Sequence, residues 1–386
     1  MLTRMFSIVT SLLLAIAIAG SFAAEEKKPE PANALERFDQ SVEEAKGTIE
    51  KAIGLKISGF FDSSYSYNTN RPSDHVSTLR VFDKDHNKAV FNDFNLTLEK
   101  DEKDWGVGFK LVGDFGRTAE LLREATLWGK TLHDEPSAEL REGFFTFTLP
   151  VGDGLQVKGG KFATLLGAEV IPTPGYPNPN FSRSVQFGFS IPFTHTGLLL
   201  TYPIMKTLSL SAGPVTGWDN PHDNNNAMTF LGGFNFTPTE TFAWASSIVY
   251  GAEQMDRSGP KRFVISNVAT IKPMPPLTLL LDYDYGHEQK ATASGRSATW
   301  QGFAGIANYD FTEKCSLAFR AEVFQDRDGA RTGTSQTLWG FTITPSYKIT
   351  KMLIARAEYR GDTSSDDVFT KRHSVRDSQK IGRAHV

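Results

Sequence analysis

The chain has 386 residues and a formal net charge of −3, with 29 Phe, 10 Tyr, 6 Trp and 33 Gly but a single cysteine, Cys315. One cysteine excludes a disulfide framework and a Cys-based metal site, and scattered basic residues give no polyanion-binding signature, so nucleic acid is not an expected partner. Past the N-terminus no apolar stretch approaches the roughly 18 residues that a transmembrane helix needs, which excludes a helical membrane protein.

Arg4 precedes an apolar run from Phe6 to Ala19, and Ser21-Phe22-Ala23 follows as a small-x-small cleavage site. These features predict a cleaved secretory signal peptide over residues 1–23. No cysteine follows the run, so a lipid anchor is not indicated. Residues 24–54 are predicted to be a charged, Pro-containing linker and an amphipathic helix. In the helix, Leu35, Phe38, Val42, Ala45, Ile49 and Ala52 recur at steps of three and four. It is under three heptads long and contains Gly47, so it either packs at the periplasmic mouth of the domain that follows or mediates oligomerisation.

From Leu55 the apolar period changes to 2. Leu277, Leu279, Leu281, Tyr283 and Tyr285 alternate with residues that include Asp282 and Asp284, and Leu317, Phe319, Ala321 and Val323 alternate with residues that include Arg320 and Glu322. Fifteen strands are predicted, near 55–67, 90–99, 105–115, 139–149, 154–164, 195–202, 207–217, 228–236, 242–251, 262–273, 277–286, 299–311, 315–325, 336–348 and 352–361. A soluble sandwich shows the same alternation with its apolar face buried. Segment lengths near the roughly 9–11 residues of a tilted spanning strand, the export signal and strict alternation of short and long connections favour a membrane barrel. KDEKD, PVGDG, PIMKT, TPTET, KPMPP, TEKC and ITK are the short connections. The others are longer, above all 68–89, 116–138 and 165–194.

Lipid offers the backbone no hydrogen bonds, so the sheet must close, and bacterial single-chain barrels close with an even number of strands. The expectation is an all-β, antiparallel transmembrane barrel of about 16 strands over 55–379, with the last strand truncated. After Val375-Arg376-Asp377 the alternation is lost. The final IGRAHV is the in-frame translation of a common short-read sequencing adapter, so 380–386 is expected to be a non-native tail. The first and fifteenth strands should then face each other across a gap that residues 375–386 only partly fill.

Several stretches carry a family resemblance: Gly160-Lys161-Phe162, Leu166-Gly167-Ala168-Glu169-Val170-Ile171, Asn180-Phe181-Ser182-Arg183-Ser184, Ile191-Pro192-Phe193-Thr194-His195-Thr196-Gly197, Gly217-Trp218-Asp219-Asn220 and Val375-Arg376-Asp377-Ser378-Gln379. Through these the chain resembles the OmpL-like β-barrel porin family over roughly Leu55 to Gln379. The resemblance implies an outer-membrane pore that passes small hydrophilic solutes, surrounded by outer-membrane lipid. It does not transfer a substrate. The family looks as though it ends in a strand with a terminal aromatic residue, and Val386 departs from that. A homotrimer is expected from porins of this size, and from no residue here.

A pore needs a polar lumen and a constriction. Loop 165–194 is the longest, is stiffened by Pro172, Pro174, Pro177, Pro179 and Pro192, and carries Glu169 and Arg183 with Lys161 just before it. It is expected to fold inward as the eyelet, the alternative being a lid on the external rim. The lumen register places Lys110, Asp114, Arg141, Asp282, Asp284, Arg320, Glu322, Arg356 and Glu358 inside, with Lys56, Asp62 and Arg360. Mixed signs argue against strong ion selectivity, and each charge is otherwise read as a hydrated cross-strand pair worth under about 1 kcal/mol. Aromatic residues at strand ends, among them Tyr65, Tyr67, Trp105, Trp244, Tyr283 and Tyr347, are read as interfacial girdles. Asp219 to Asn226 and Asp362, Asp366 and Asp367 are read as turn-forming loops rather than Ca²⁺ sites. No metal and no cofactor are predicted. His75, His86, His133, His222, His287 and His373 fall in loops, His385 in the suspect tail, and His195 beside two Thr at a strand start. Nothing forms a triad, so no enzyme activity is predicted; an adhesin or structural barrel, or less readily a barrel hydrolase, is the alternative.

Overall fold

In the computed structural model the described residues are 34–102, 106–125, 138–175 and 177–386. The signal peptide and linker, Trp105 and His133 lie outside them. Sixteen antiparallel strands form one closed barrel. They are β1 (Lys56–Asn68), β2 (Lys88–Lys100), β3 (Gly108–Phe115), β4 (Ala138–Leu149), β5 (Leu155–Ala163), β6 (Thr194–Met205), β7 (Leu208–Val215), β8 (Thr229–Thr239), β9 (Phe242–Gln254), β10 (Arg257–Met274), β11 (Leu277–Glu288), β12 (Ala298–Asp310), β13 (Cys315–Asp326), β14 (Gln336–Lys348), β15 (Ile354–Ser364) and β18 (Ser378–His385). Between the last two lies a small hairpin of β16 (Phe369–Lys371) and β17 (Ser374–Arg376). The fifteen predicted strands are all present within a few residues. One connection differs: the stretch between 251 and 262 is a two-residue turn at Met255-Asp256, because β9 and β10 run on as a long hairpin.

The side-chain faces decide between sandwich and membrane barrel. Along β11, Leu281 and Tyr283 are 37% and 40% exposed, while Asp282 and Asp284 are 3% and 0% exposed. β13 repeats this, with Phe319 exposed and Arg320 buried. The greasy face looks outward and the charged face inward, which suits hydrocarbon outside and polar contents inside. Tyr65, Trp244, Tyr283 and Tyr347 belong to the outward set.

The missing sixteenth strand is supplied by the segment expected not to form one. β18 pairs with β15 from Arg356↔His385 to Thr363↔Ser378 and with β1 from Ser64↔His385 to Asn68↔Ile381. Its alternation is real but inverted in emphasis. Gln379, Ile381, Arg383 and His385 are buried inward, and the outer face carries only Ser378, Lys380, Gly382 and Ala384. Ladder hydrogen bonds need backbone and not a greasy outer face, so a pattern search for apolar alternation passes over it. Closure is incomplete in length: β1 meets β18 only from Ser63, through two bonds with Val386, to Asn68, and Lys56 to Asp62 pair with β2 alone.

Helix α1 (Ala34–Ile53) sits at this short-turn end. Glu50 accepts a 2.6 Å bond from the Ile57 amide beside β1, and Asp39 accepts one of 3.3 Å from the Met352 amide in the β14–β15 turn. Ala45 is fully buried, whereas Leu35 and Phe38 remain exposed. The helix thus packs at the mouth, next to the edge that β18 leaves short.

The register makes a direct prediction. Leu281→Arg puts a cation on the lipid face and should lower the unfolding free energy by about 2–4 kcal/mol, whereas Thr278→Arg, on the opposite face of the same strand, should cost under about 1 kcal/mol. Equal costs in urea unfolding from lipid vesicles would refute this register.

Candidate functional site

Loop 164–193 leaves the barrel rim after β5, crosses the interior and returns to β6. Its path follows from local sequence. Gly167 turns with φ +83°, and Ser184 caps the short helix α3 (Val185–Phe189) by accepting a bond from the Phe187 amide at 3.1 Å. The middle of the loop buries Leu166, Ile171, Phe181, Val185, Phe187, Ile191 and Phe193. Most of these join an apolar cluster with inward residues of the wall, including Val215, Leu231, Val249, Val264, Trp300, Phe324 and Leu338.

Polar contacts stitch the loop to the far wall, β11 to β15. Glu358 accepts bonds from the amides of Phe181 (2.9 Å) and Ser182 (3.2 Å). Glu322 accepts one from Val185 (2.5 Å), and Asp282 one from Ala168 (3.0 Å). Arg320 pairs with Glu169 at 2.8 Å and donates to the Ser182 carbonyl at 2.5 Å. Arg360 pairs with Glu322 at 2.8 Å and donates to the Arg183 carbonyl at 3.1 Å. On the near side Arg141 donates to the Pro172 carbonyl at 2.5 Å and pairs with Asp114 at 3.4 Å.

This corrects the reading of the wall charges as hydrated pairs. Asp114, Arg141, Asp282, Asp284, Arg320, Glu322, Arg356 and Glu358 are all at most 9% exposed. Arg141, Asp282, Arg320, Glu322 and Glu358 hold the loop, and none of the eight faces open water. Buried charges of this kind must be matched, because losing one partner strands the other in a medium of low polarity. Glu169 serves the same network, accepting from the Ser184 amide at 2.8 Å. Arg183, expected at the pore surface, is 3% exposed and turns into its own loop, donating to the carbonyls of Val170 and Phe181. Lys161 and Lys110 are half-buried on the near wall; Lys161 pairs with Glu139 at 2.5 Å. Lys56 is solvent-facing and pairs with Asp101 at 2.5 Å.

The pattern along the sequence did not reveal that two further loops turn inward. In loop 69–87, Arg80 and Asp83 form a buried 2.8 Å pair, and Arg80 donates to the Arg183 carbonyl at 2.7 Å. Helix α2 (Arg117–Ala125) buries Leu121 and Leu122. Asp219, read as a solvated turn residue, is buried and accepts bonds from the amides of Phe193 (2.7 Å) and Thr194 (2.8 Å), fixing the end of the crossing loop. Tyr67, on the same face of β1 as Tyr65, lines a pocket of about 420 Å³ with Thr69, Asn70, Arg71, Lys371 and Arg372. Among the described residues no group of three or more His, Cys, Asp or Glu is arranged to hold a metal ion. His287 lies in β11 and His385 in β18, beside Asp62, rather than in a loop or a free tail.

A family model described as "Putative beta-barrel porin-2, OmpL-like" matches residues 54–384. The fold is similar to that of the outer membrane channel DcaP of Acinetobacter baumannii, at 12% identity and a TM-score of 0.57 over 86% of this chain and 96% of that one. It is also similar to an anion-selective porin from Comamonas acidovorans, at 9% identity and 0.56 over 86% and 98%. OmpT of Vibrio cholerae in a trimer form gives 11% identity and 0.56 over 86% and 98%. No curated protein matches the chain by sequence.

Two outcomes follow from the stitching. Glu322→Ala strands the Val185 amide and takes a carboxylate from Arg320 and Arg360, losing about 1.5–3 kcal/mol of loop anchoring, so trypsin added to folded protein should cut at Arg183 at least about tenfold faster. An unchanged cleavage rate would show that Glu322 does not hold the loop. At Asp219, burial pushes the carboxyl from the ordinary 3.8 up to about 7, against the pull of the two amide donors. The folded state therefore keeps a proton that the unfolded chain has released, and stability should fall as pH rises between these values and level off above them. Asp219→Asn should remove that part of the slope in unfolding measured at pH 4.5 and pH 8. Parallel slopes would refute the assignment.

Proposed function

The chain belongs to the OmpL-like porin-2 family of β-barrels, and from that membership together with the inward loop we propose that it is an outer-membrane porin giving passive diffusion of small hydrophilic solutes. The observation that carries this reading is loop 164–193, held across the interior of a sixteen-stranded barrel, the size class that otherwise leaves an aqueous channel. The loop narrows the passage. It is pinned to β11–β15, and the near wall opposite keeps Lys110, Lys158 and Lys161 within reach of solvent beside Glu139. Cations and carboxylates together suit a pore without strong ion preference.

In this reading the signal peptide over 1–23 exports the chain through the periplasm, outer-membrane lipid covers the apolar belt, and no catalytic chemistry is involved. Assembly as a homotrimer accords with the trimer form of OmpT, a barrel of similar fold. A second reading has one observation in its favour. The buried loop residues pack with inward residues of the wall in one apolar cluster, as a non-conducting adhesin or structural barrel would allow.

Deleting residues 172–182 decides between them. The variant should raise single-channel conductance in planar bilayers at least about twofold, since a narrowing segment is gone. Conductance that is unchanged or lower in a variant that keeps its heat-modifiable gel mobility overturns the constriction. Absence of any conductance from both proteins overturns the porin reading.

A further inference from the structure

Where α3 meets the wall, a cluster of oxygens stands without partners. The helix packs closely on β12: a Cβ on Gly302 would sit 2.6 Å from Oε1 of Gln186. Gln186 is 1% exposed, yet neither its Oε1 nor its Nε2 has a hydrogen-bond partner. Ser190, just after α3, is fully buried with its Oγ unpartnered. On β11 both carboxylate oxygens of Asp284 and Oδ1 of Asp282 are likewise unpartnered, at 0% and 3% exposure. The spacing of two residues places both carboxylates on the lumen face. Gln186 and Ser266 flank Asp282, Ser266 and Ser190 flank Asp284, and Ser266 lies opposite Asp284 in the β10–β11 register.

Two carboxylates buried without a counter-charge are strongly disfavoured. The buried guanidinium of Arg320 cannot serve them, being committed to Glu169 at 2.8 Å and Glu322 at 3.3 Å. A cation satisfies all the groups together. The donors are two carboxylates, an amide oxygen and two hydroxyls, a hard all-oxygen set with a charge of two to balance.

We propose that Asp282, Asp284, Gln186, Ser190 and Ser266 form a binding site for a Ca²⁺-like divalent cation that joins α3 of the crossing loop to β10 and β11 of the wall. The cation would fasten the loop from inside, on the side away from the Arg141–Pro172 contact. Binding stands independently of the porin reading, and only an effect on conductance rests on that reading.

The test uses the folded full chain in detergent, stripped of metal with a chelator. Calorimetric titration should show one Ca²⁺ per chain, and Ca²⁺ should raise the thermal midpoint by several degrees. Tb³⁺ should report the same site, because the Trp300 indole donates to the Ser190 carbonyl at 3.2 Å and is placed to sensitise emission. Ca²⁺ should displace the Tb³⁺ signal. Trp300→Phe should lose the emission and keep calorimetric binding. Asp284→Asn should abolish binding, and Ser190→Ala, which changes only the loop side, should weaken it about tenfold. The proposal is overturned by no saturable binding at millimolar Ca²⁺, by wild-type affinity in a folded Asp284→Asn, or by an Asp284→Asn that is stabilised regardless of Ca²⁺, which would mean the carboxyl carries a proton. If Asp284→Asn fails to fold, wild-type affinity in Ser190→Ala overturns it instead.

Discussion

Everything in this molecule depends on one requirement: a backbone surrounded by hydrocarbon must find all its hydrogen bonds within itself. A sheet meets that demand only by closing, and closing fixes the rest. Each strand then has one face to lipid and one to the interior, so side chains sort with a period of 2. The exposed Leu281 and Tyr283 and the buried Asp282 and Asp284 are that sorting on four consecutive residues. The demand is strong enough that the segment 378–385, with almost nothing apolar to offer lipid, is drafted in as the closing strand. Where it runs out, the ladder between β1 and β18 stops, and α1 lies beside that edge.

The inward face then becomes a scaffold for docking. A strand wall offers fixed side chains at regular intervals, and a crossing loop offers amide donors that would otherwise be stranded. Glu322, Glu358, Asp282 and Asp219 meet those donors one by one. Arg320 and Arg360 balance the carboxylates and also reach loop carbonyls. The arrangement makes the loop a part of the folded core. In the same way the pairing of Arg80 with Asp83 brings loop 69–87 against the Arg183 carbonyl, so one loop braces another.

How much of this the sequence displayed divides along the range of the interactions. Strand positions came from local alternation, which the lipid face imposes directly. The loop's length and prolines marked 165–194 as the segment to turn inward. The period-2 register put Arg320, Glu322 and Glu358 on the inward face, but their burial there was invisible, because hydration depends on what else fills the lumen. Burial by a loop more than a hundred residues away leaves no local trace. Asp219 looked like a turn former for the same reason: its partners, Phe193 and Thr194, lie where another loop enters β6. Strand β18 escaped because its outer face lacks the large apolar residues that mark the others, and the hairpin of β16 and β17 escaped because its strands are three residues each.

A loop held in so many places constrains how such a pore could open. Its contacts to β11, β13, β14 and β15 lie in series along one wall, each protected by the apolar cluster around Phe187, Ile191 and Trp300. Breaking any single contact leaves its neighbours in place and a charge unmatched, so the intermediate is worse than either end state. Gradual widening is therefore disfavoured, and displacement of the loop would be concerted or absent. In the proposed pore the path left for solute runs beside the loop, along the near wall where Lys110 and Lys158 are half-buried.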